Sequence, residues 1–178
     1  MKKFLRYPLI VLAVLIVGFL LIGVFVPEFS YENRLVINAP VEKAFAVFID
    51  TSYTRRWLSG FKRFEHIQGE PLQPGSKWRL IIEEQGEVFE LTEEMTDYRE
   101  NERFAFVLEA DVLTSEVTIR FQPLDSTRCE MIATTRVRGK GMLWKSLLPL
   151  FKSGMQSHAQ RDYEKLKGLM EATERVKQ

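Results

Sequence analysis

The sequence is poor in the residues from which many catalytic and structural centres are built. Cys129 is its only cysteine, so an intramolecular disulfide is impossible and a metal site made of several thiolates is excluded. His66 and His158 are its only histidines, which excludes a three-histidine metal site. It contains no phosphate-binding glycine loop, no HExxH motif and no GxSxG nucleophile elbow. The sequence therefore predicts no metal and no cofactor, and it offers no recognisable nucleophile.

An excess of charge of one sign is also lacking. The chain has 178 residues, and its 25 lysines and arginines nearly balance its 24 aspartates and glutamates. Recognition of a phosphate backbone requires a basic surface, so this balance gives no indication of nucleic-acid binding. Without its apolar first segment the chain keeps about 150 residues, which suits one domain with one core.

The first thirty residues contain the longest hydrophobic run. Leu9 to Val26 carries no charged residue, and its length is close to the ~20 residues that a helix needs to cross a bilayer. Lys2, Lys3 and Arg6 precede this run. The positive-inside rule then predicts a cytoplasmic N-terminus and an extracytoplasmic location for residues 28–178.

The end of this run distinguishes an anchor from a cleaved signal peptide. A signal peptide ends at a small-x-small cleavage site, whereas this run ends in the bulky residues Val24, Phe25 and Val26, followed by Pro27. The sequence therefore favours a single-pass membrane protein. Residues 1–28 are its cytoplasmic N-terminus and transmembrane helix, and residues 29–178 are its soluble domain.

The soluble part begins with a strand and two short helices and continues as strands. Alternating apolar residues predict a strand over Phe29 to Asn38. Pro40 marks the start of a helix, and Asp50 opens a second short one. From Phe61 onward about six closely spaced strands follow, joined by short turns. Such spacing predicts an antiparallel meander.

The last part of the chain changes to a helical period. Met142 to Glu174 carries an apolar stripe at helical spacing, and Pro149 should kink or restart this helix. A sheet with one apolar face must bury that face, and this helix is the only large element that can cover it. We therefore predict an α+β fold in which the sheet curves around the C-terminal helix.

Particular residues mark the boundaries of these elements. They are Leu35-x-Ile37-Asn38-Ala39-Pro40, then Val41, Phe45, Phe48, Asp50 and Trp57, then Pro74-Gly75 before Trp78, and finally Leu166-Lys167 and Met170-Glu171. This arrangement resembles the START-like superfamily, also called SRPBCC, helix-grip, or polyketide cyclase and lipid transport proteins. The resemblance implies a seven-stranded antiparallel sheet wrapped around the C-terminal helix, with a cavity between them. Members bind sterols, lipids, hormones or polyketide intermediates; some are cyclases or hydrolases, and some bind chaperones.

The alternation within the strands predicts which large side chains face this cavity. Apolar and aromatic linings suit a hydrophobic small molecule. The alternative is that these side chains fill the core, and we expect about half of them to do so. The candidate ligand-binding residues are Trp57, Trp78, Phe89, Phe104, Phe106, Met131 and Met155.

Glu93 shares the alternation of the predicted cavity face. A carboxyl group in an apolar cavity has a raised pKa and can bind a polar group of a ligand. The sequence favours the alternative that a β-bulge near Thr92–Glu94 reverses the register and exposes the side chain.

His158 and Asp162 lie four residues apart on the closing helix and share a face. If that face points into the cavity, the pair can act as an oriented acid and base. The sequence favours a solvated pair beside Arg161 and Lys165 instead.

The segment Met142 to Phe151 has more apolar residues than one helix face can bury. Lysines flank it and it carries Trp144. Such a segment suits a membrane interface or a gate over a cavity mouth. Packing against the short helices or against a partner is an equally good interpretation.

Three functional hypotheses follow from these features. The first is a non-enzymatic, membrane-anchored binding protein for an apolar small molecule or lipid. The second is a cyclase- or hydrolase-like enzyme that uses Glu93 or His158 in the same cavity. The third is an interaction module whose cavity has collapsed. A roomy apolar cavity favours the first, convergent polar groups favour the second, and the absence of a cavity favours the third.

Overall fold

Seven strands and five helices form the part of the chain that a computed structural model describes, residues 6–84 and 86–172. Lys2, Lys3 and Glu174, which entered the sequence predictions, lie outside these residues. The helices are α1 (Arg6–Phe25), α2 (Val41–Ile49), α3 (Thr54–Trp57), α4 (Gly141–Leu147) and α5 (Lys152–Ala172). The strands are β1 (Glu28–Ile37), β2 (Phe61–Gln68), β3 (Lys77–Glu84), β4 (Glu87–Arg99), β5 (Arg103–Glu109), β6 (Leu113–Pro123) and β7 (Cys129–Gly139). Two 3-10 turns, Thr51–Tyr53 and Leu148–Phe151, precede α3 and α5.

The strands form one antiparallel sheet in the order β1-β7-β6-β5-β4-β3-β2. From β2 to β7 each strand pairs with the next along the chain, so the predicted meander is confirmed. β1 joins the opposite edge beside β7, and α2 and α3 carry the chain from one edge of the sheet to the other. The predicted helix-grip fold class is therefore confirmed.

The core lies where α2 and α5 cover the β1–β7–β6 side of the sheet. Leu166 and Met170 of α5 are fully buried there, together with Phe45 of α2, Ile119 of β6 and Met131 of β7. Each such side chain contributes about 1.5–3 kcal/mol by leaving water. Helix α5 runs along β1, α2 and α3. The concave face of β3, β4 and β5 therefore lies across from α5 without being filled by it.

The predicted C-terminal helix is divided at the proline. α4 ends at Leu147, a 3-10 turn holds Pro149, and α5 begins at Lys152. Proline cannot donate a backbone hydrogen bond within a helix, so the chain restarts there. The break is what lets α4 and α5 take different directions from one continuous apolar sequence.

Helix α1 packs with its C-terminal turns against α4. Gly23 makes this approach possible, because a Cβ atom there would lie 2.5 Å from Ser146 Oγ and 2.9 Å from the Ser146 nitrogen. Ser146 is fully buried, and its hydroxyl donates to the Met142 carbonyl at 3.0 Å. Most other side chains of α1 are exposed, and among the described residues Tyr7–Phe25 is the one helix long and apolar enough to cross a membrane.

Candidate functional site: a cavity between the sheet and the C-terminal helix

A cavity of about 870 Å³ lies between α5 and the concave face of the sheet. Its wall is mainly apolar, because the inward residues of the strands alternate with outward polar ones. The strand side includes Leu80, Leu91, Phe104, Leu108 and Val117. The space exists because α5 lies towards β1 and leaves the inner face of the other edge without a packing partner.

Exposed residues mark an opening of the cavity. Pro71, in the connection between β2 and β3, lines the cavity and is exposed. Across from it, Phe151 and Gly154 at the start of α5 also line the cavity and are exposed. The opening therefore lies next to the segment Met142 to Phe151.

Five of the seven predicted ligand-binding residues line this cavity. They are Trp57, Trp78, Phe104, Phe106 and Met155. Trp57 stacks on Tyr163 of α5, with ring centroids 6.3 Å apart and an angle of 28° between the planes. Its indole nitrogen is buried without a hydrogen-bond partner among the described residues.

Phe89 and Met131 do not line the cavity, so the expectation that they face it was wrong. Phe89 shares the face of Leu91 but lies beside the β3–β4 turn, beyond the cavity, where it is 47% exposed. Met131 lies on β7 and is fully buried in the core. Alternation determines the face of a strand, but it contains no information on whether a helix or a cavity lies opposite a given residue.

Glu93 faces the cavity. The register shift in β4 lies between Met95 and Asp97, not near Thr92–Glu94, so the favoured prediction of an exposed Glu93 was wrong. Across the sheet its neighbours are Trp78 on β3 and Leu108 on β5. Burial in these surroundings raises the pKa of Glu93 to about 7. Among the described residues, none gives its carboxyl group a hydrogen bond or an ion pair.

Asp162 is buried rather than solvated, which corrects the favoured prediction for this residue. Its carboxylate accepts hydrogen bonds from the Ser59 nitrogen at 3.0 Å, the Ser59 hydroxyl at 2.6 Å and Lys165 Nζ at 2.9 Å. Burial by itself would raise the pKa of Asp162, but the hydrogen bonds from Ser59 and Lys165 outweigh it and lower the pKa. The carboxylate thus holds the α3–β2 connection against α5.

His158 lines the cavity, but its contact with Asp162 is weak. Its Nε2 lies 3.6 Å from Asp162 Oδ2 and 3.7 Å from Glu84 Oε1, and its side chain is 45% exposed. Both distances exceed those of a good hydrogen bond. With Asp162 already occupied by Ser59 and Lys165, the geometry does not form an oriented acid–base pair.

Two tyrosines at the cavity were not predicted as site residues. Tyr31 of β1 and Tyr163 of α5 both line it, and burial raises the pKa of each phenol, so both hydroxyl groups keep their protons. Sequence signals existed for both. Tyr31 shares the face of Leu35 and Ile37, and Tyr163 lies on the apolar stripe of α5.

No cluster of three or more potential metal ligands occurs in the described part of the chain. The cavity is an apolar space with a few polar groups at its wall, and Glu93 carries the one carboxyl group among the described lining residues that has no hydrogen bond or ion pair to the protein.

Comparison with known families decides how this cavity fold is classified. A family described as polyketide cyclase / dehydrase and lipid transport matches residues 28–171, most of the chain and all seven strands. The chain belongs to that family. No protein of curated function is significantly similar to it in sequence.

Solved structures with the same fold agree with the family. The Zhui aromatase/cyclase from Streptomyces sp. R1128 has a TM-score of 0.70 and 15% identity, covering 84% of this chain and 97% of that one. TTHA0849 from Thermus thermophilus has a TM-score of 0.66 and 19% identity, covering 82% and 99%. Norcoclaurine synthase from Thalictrum flavum, in complex with dopamine and hydroxybenzaldehyde, has a TM-score of 0.59 and 17% identity, covering 80% and 86%.

These identities are low, so the likeness establishes the fold alone. The coverage adds one structural fact. The first two of these chains consist almost wholly of the shared fold. In this chain the family match begins at residue 28, after α1.

Proposed function

We propose that this family member is a single-pass membrane protein whose extracytoplasmic domain binds an apolar small molecule or a lipid in its internal cavity. The observation that carries the proposal is the cavity of about 870 Å³ with its mainly apolar wall. Ligand cavities in proteins measure about 300–1,000 Å³, and apolar burial contributes about 25 cal/mol per Å². A cavity of this size accommodates a molecule large enough to be held by apolar burial.

The cavity also bears on the other two hypotheses. An interaction module with a collapsed cavity has no support, because the space is open. An enzyme remains the second candidate, and the unpartnered Glu93 in the cavity wall is the observation that favours it. Against an enzyme stand the occupied carboxylate of Asp162 and the half-exposed His158. A binding protein needs none of these groups to react.

Ligand capture tests the binding function. Residues 28–178 would be purified without detergent and extracted with organic solvent, and the extract would be identified by mass spectrometry. We expect one class of lipid or aromatic compound in stoichiometric amount. Leu108→Trp, which takes space from the cavity beside Glu93, should reduce capture, whereas Val107→Trp on the other face of β5 should not. Capture that is absent, or equal in both variants, would contradict the proposal.

The membrane part of the proposal rests on α1 and on its contact with α4. A helix of 20 residues is about 30 Å long, enough for the hydrocarbon core of a bilayer. Because α4 packs on the last turns of α1, it lies where the chain would leave the bilayer. The exposed side chains there are apolar: Met142, Leu143, Leu150 and Phe151. Lys145 and Lys152 lie among them and suit anionic headgroups.

Vesicle flotation of residues 28–178 tests this surface. With vesicles of phosphatidylcholine and phosphatidylglycerol, changing Leu143 and Leu150 to serine should reduce binding by at least about tenfold, because two apolar side chains no longer insert. Leu124→Ser, at an equally exposed leucine of the β6–β7 turn, is the control. Leu148 is unsuitable because it belongs to the core. Equal flotation of all variants would contradict the interface, and reporter fusions to the C-terminus of the full chain would test the orientation separately.

A further inference from the structure

Among the described residues that line the cavity, the ionisable ones are three acidic residues, one histidine and two tyrosines. Glu84, Glu93 and Asp162 carry carboxyl groups, and His158 is the histidine. None of the described lining residues is a lysine or an arginine. A negatively charged ligand group in the cavity would therefore meet no permanent positive charge among these lining residues.

These carboxyl groups differ in their hydrogen-bond and ion-pair partners within the protein. Asp162 accepts three hydrogen bonds from Ser59 and Lys165. Glu84 is exposed at the end of β3 and lies near His158. Glu93 is the partly buried acidic lining residue that has no hydrogen bond or ion pair to the described residues.

The surroundings of Glu93 are apolar on every side that the sheet defines. Leu91 and Met95 flank it along β4, and Trp78 and Leu108 lie opposite on the neighbouring strands. A carboxyl group is costly in such a place unless a partner hydrogen-bonds to it. Since no residue of the described part of the chain supplies a partner, the arrangement fits a group that the ligand supplies.

We propose that Glu93 selects, among apolar ligands, those that bring a hydrogen-bond donor into the cavity, an amine or a hydroxyl group, and that the cavity disfavours anionic amphiphiles such as fatty carboxylates. This inference rests on the proposed binding function and names its ligand class. An amine forms an ion pair with Glu93, and a hydroxyl group donates a hydrogen bond to it. A carboxylate ligand places a second negative charge beside it without a cation to balance either.

Three ligands with the same ten-carbon chain and different head groups test this proposal. Decylamine, decanol and decanoate, each below its micellar concentration, would be titrated calorimetrically at pH 8 into the full chain held in a non-ionic amphipol. The amphipol without protein, titrated in the same way, measures binding to the amphipol itself. We expect decylamine and decanol to bind at least about tenfold more tightly than decanoate, since hydrogen bonds to a charged group are the strong ones.

Two substitutions on one strand separate the role of Glu93 from general effects of charge. Glu93→Gln should weaken decylamine binding at least about tenfold and remove the discrimination against decanoate. Glu94→Gln should leave the ranking unchanged, because Glu94 lies on the other face of β4 and pairs with Lys77 at 2.9 Å.

The outcomes distinguish this inference from the function on which it rests. Binding of all three ligands with equal affinity, or decanoate binding best, would overturn the inference and leave the binding function intact. The same ranking in Glu93→Gln as in the unchanged protein would also overturn it. If no ligand binds above the background of the amphipol alone, the proposed binding function fails as well.

Discussion

Replacing Glu93 with glutamine keeps the shape of the side chain and removes its ability to ionise, which makes the cost of this buried carboxyl group measurable. Burial raises the pKa of Glu93 from 4.5 to about 7. A difference of this size corresponds to about 3.5 kcal/mol, at about 1.4 kcal/mol per pH unit. Water in the cavity lowers this cost, so we expect an effect of about 1–3 kcal/mol.

The sign follows from which state holds the proton more tightly. Between pH 4.5 and about 7 the folded protein keeps the proton of Glu93, whereas the unfolded chain has lost it. Below pH 4.5 Glu93 is protonated in both states, and its contribution to the free energy of unfolding is fully present. This contribution is lost as the pH rises through about 7, because the folded protein must then ionise Glu93 in the cavity. Glu93→Gln should match the unchanged protein at pH 4 and exceed its free energy of unfolding by about 1–3 kcal/mol at pH 8.

Urea unfolding of residues 28–178, followed by tryptophan fluorescence at both pH values, measures this difference. Comparison at the same pH cancels the titration of every other group. Glu94→Gln is the control, and its effect should stay within about 0.5 kcal/mol because the Lys77–Glu94 pair is at the surface. An equal effect of Glu93→Gln at pH 4 and pH 8, or a carbon-13 titration of Glu93 with an ordinary midpoint, would refute the argument.

Two further predictions concern contacts that connect distant parts of the chain. Asp162→Ala should lower the free energy of unfolding by about 2–3 kcal/mol, because it leaves the two partly buried donors of Ser59 without their acceptor. Glu164→Ala, exposed on the same helix, should change it by less than about 0.5 kcal/mol. Equal urea midpoints for both variants would show that Asp162 does not hold this connection. Gly23→Leu should speed amide hydrogen exchange throughout α4 of the full chain in lipid nanodiscs, because a Cβ atom at this position meets the α4 backbone. Gly18→Leu is the control and should leave the exchange unchanged, because a Cβ atom there meets nothing within 4 Å. Unchanged exchange in both would contradict the packing of α1 on α4.

The order of the elements could be predicted because it depends on local signals. Period-two alternation identified the strands, the Pro40 and Asp50 signals placed the two short helices, and Pro149 indicated the break before α5. The register of the sheet then follows from its turns, so Trp78, Phe104 and Phe106 face the cavity as expected. Backbone sterics and side-chain periodicity act over a few neighbouring residues, so a single sequence is enough to read them.

What the tertiary structure decided is which distant element lies opposite each residue. Met131 and Phe106 both point inward, but α2 and α5 cover β7 and leave β5 open, so one is core and the other lines the cavity. Asp162 is buried because Ser59, 103 positions earlier, donates to it. Glu93 lies on the inner face because the bulge of β4 is at Thr96, beyond Glu93, and not at the predicted position. These outcomes depend on where the helices pack on the curved sheet. Such packing joins residues far apart in the sequence, so local sequence patterns do not predict it.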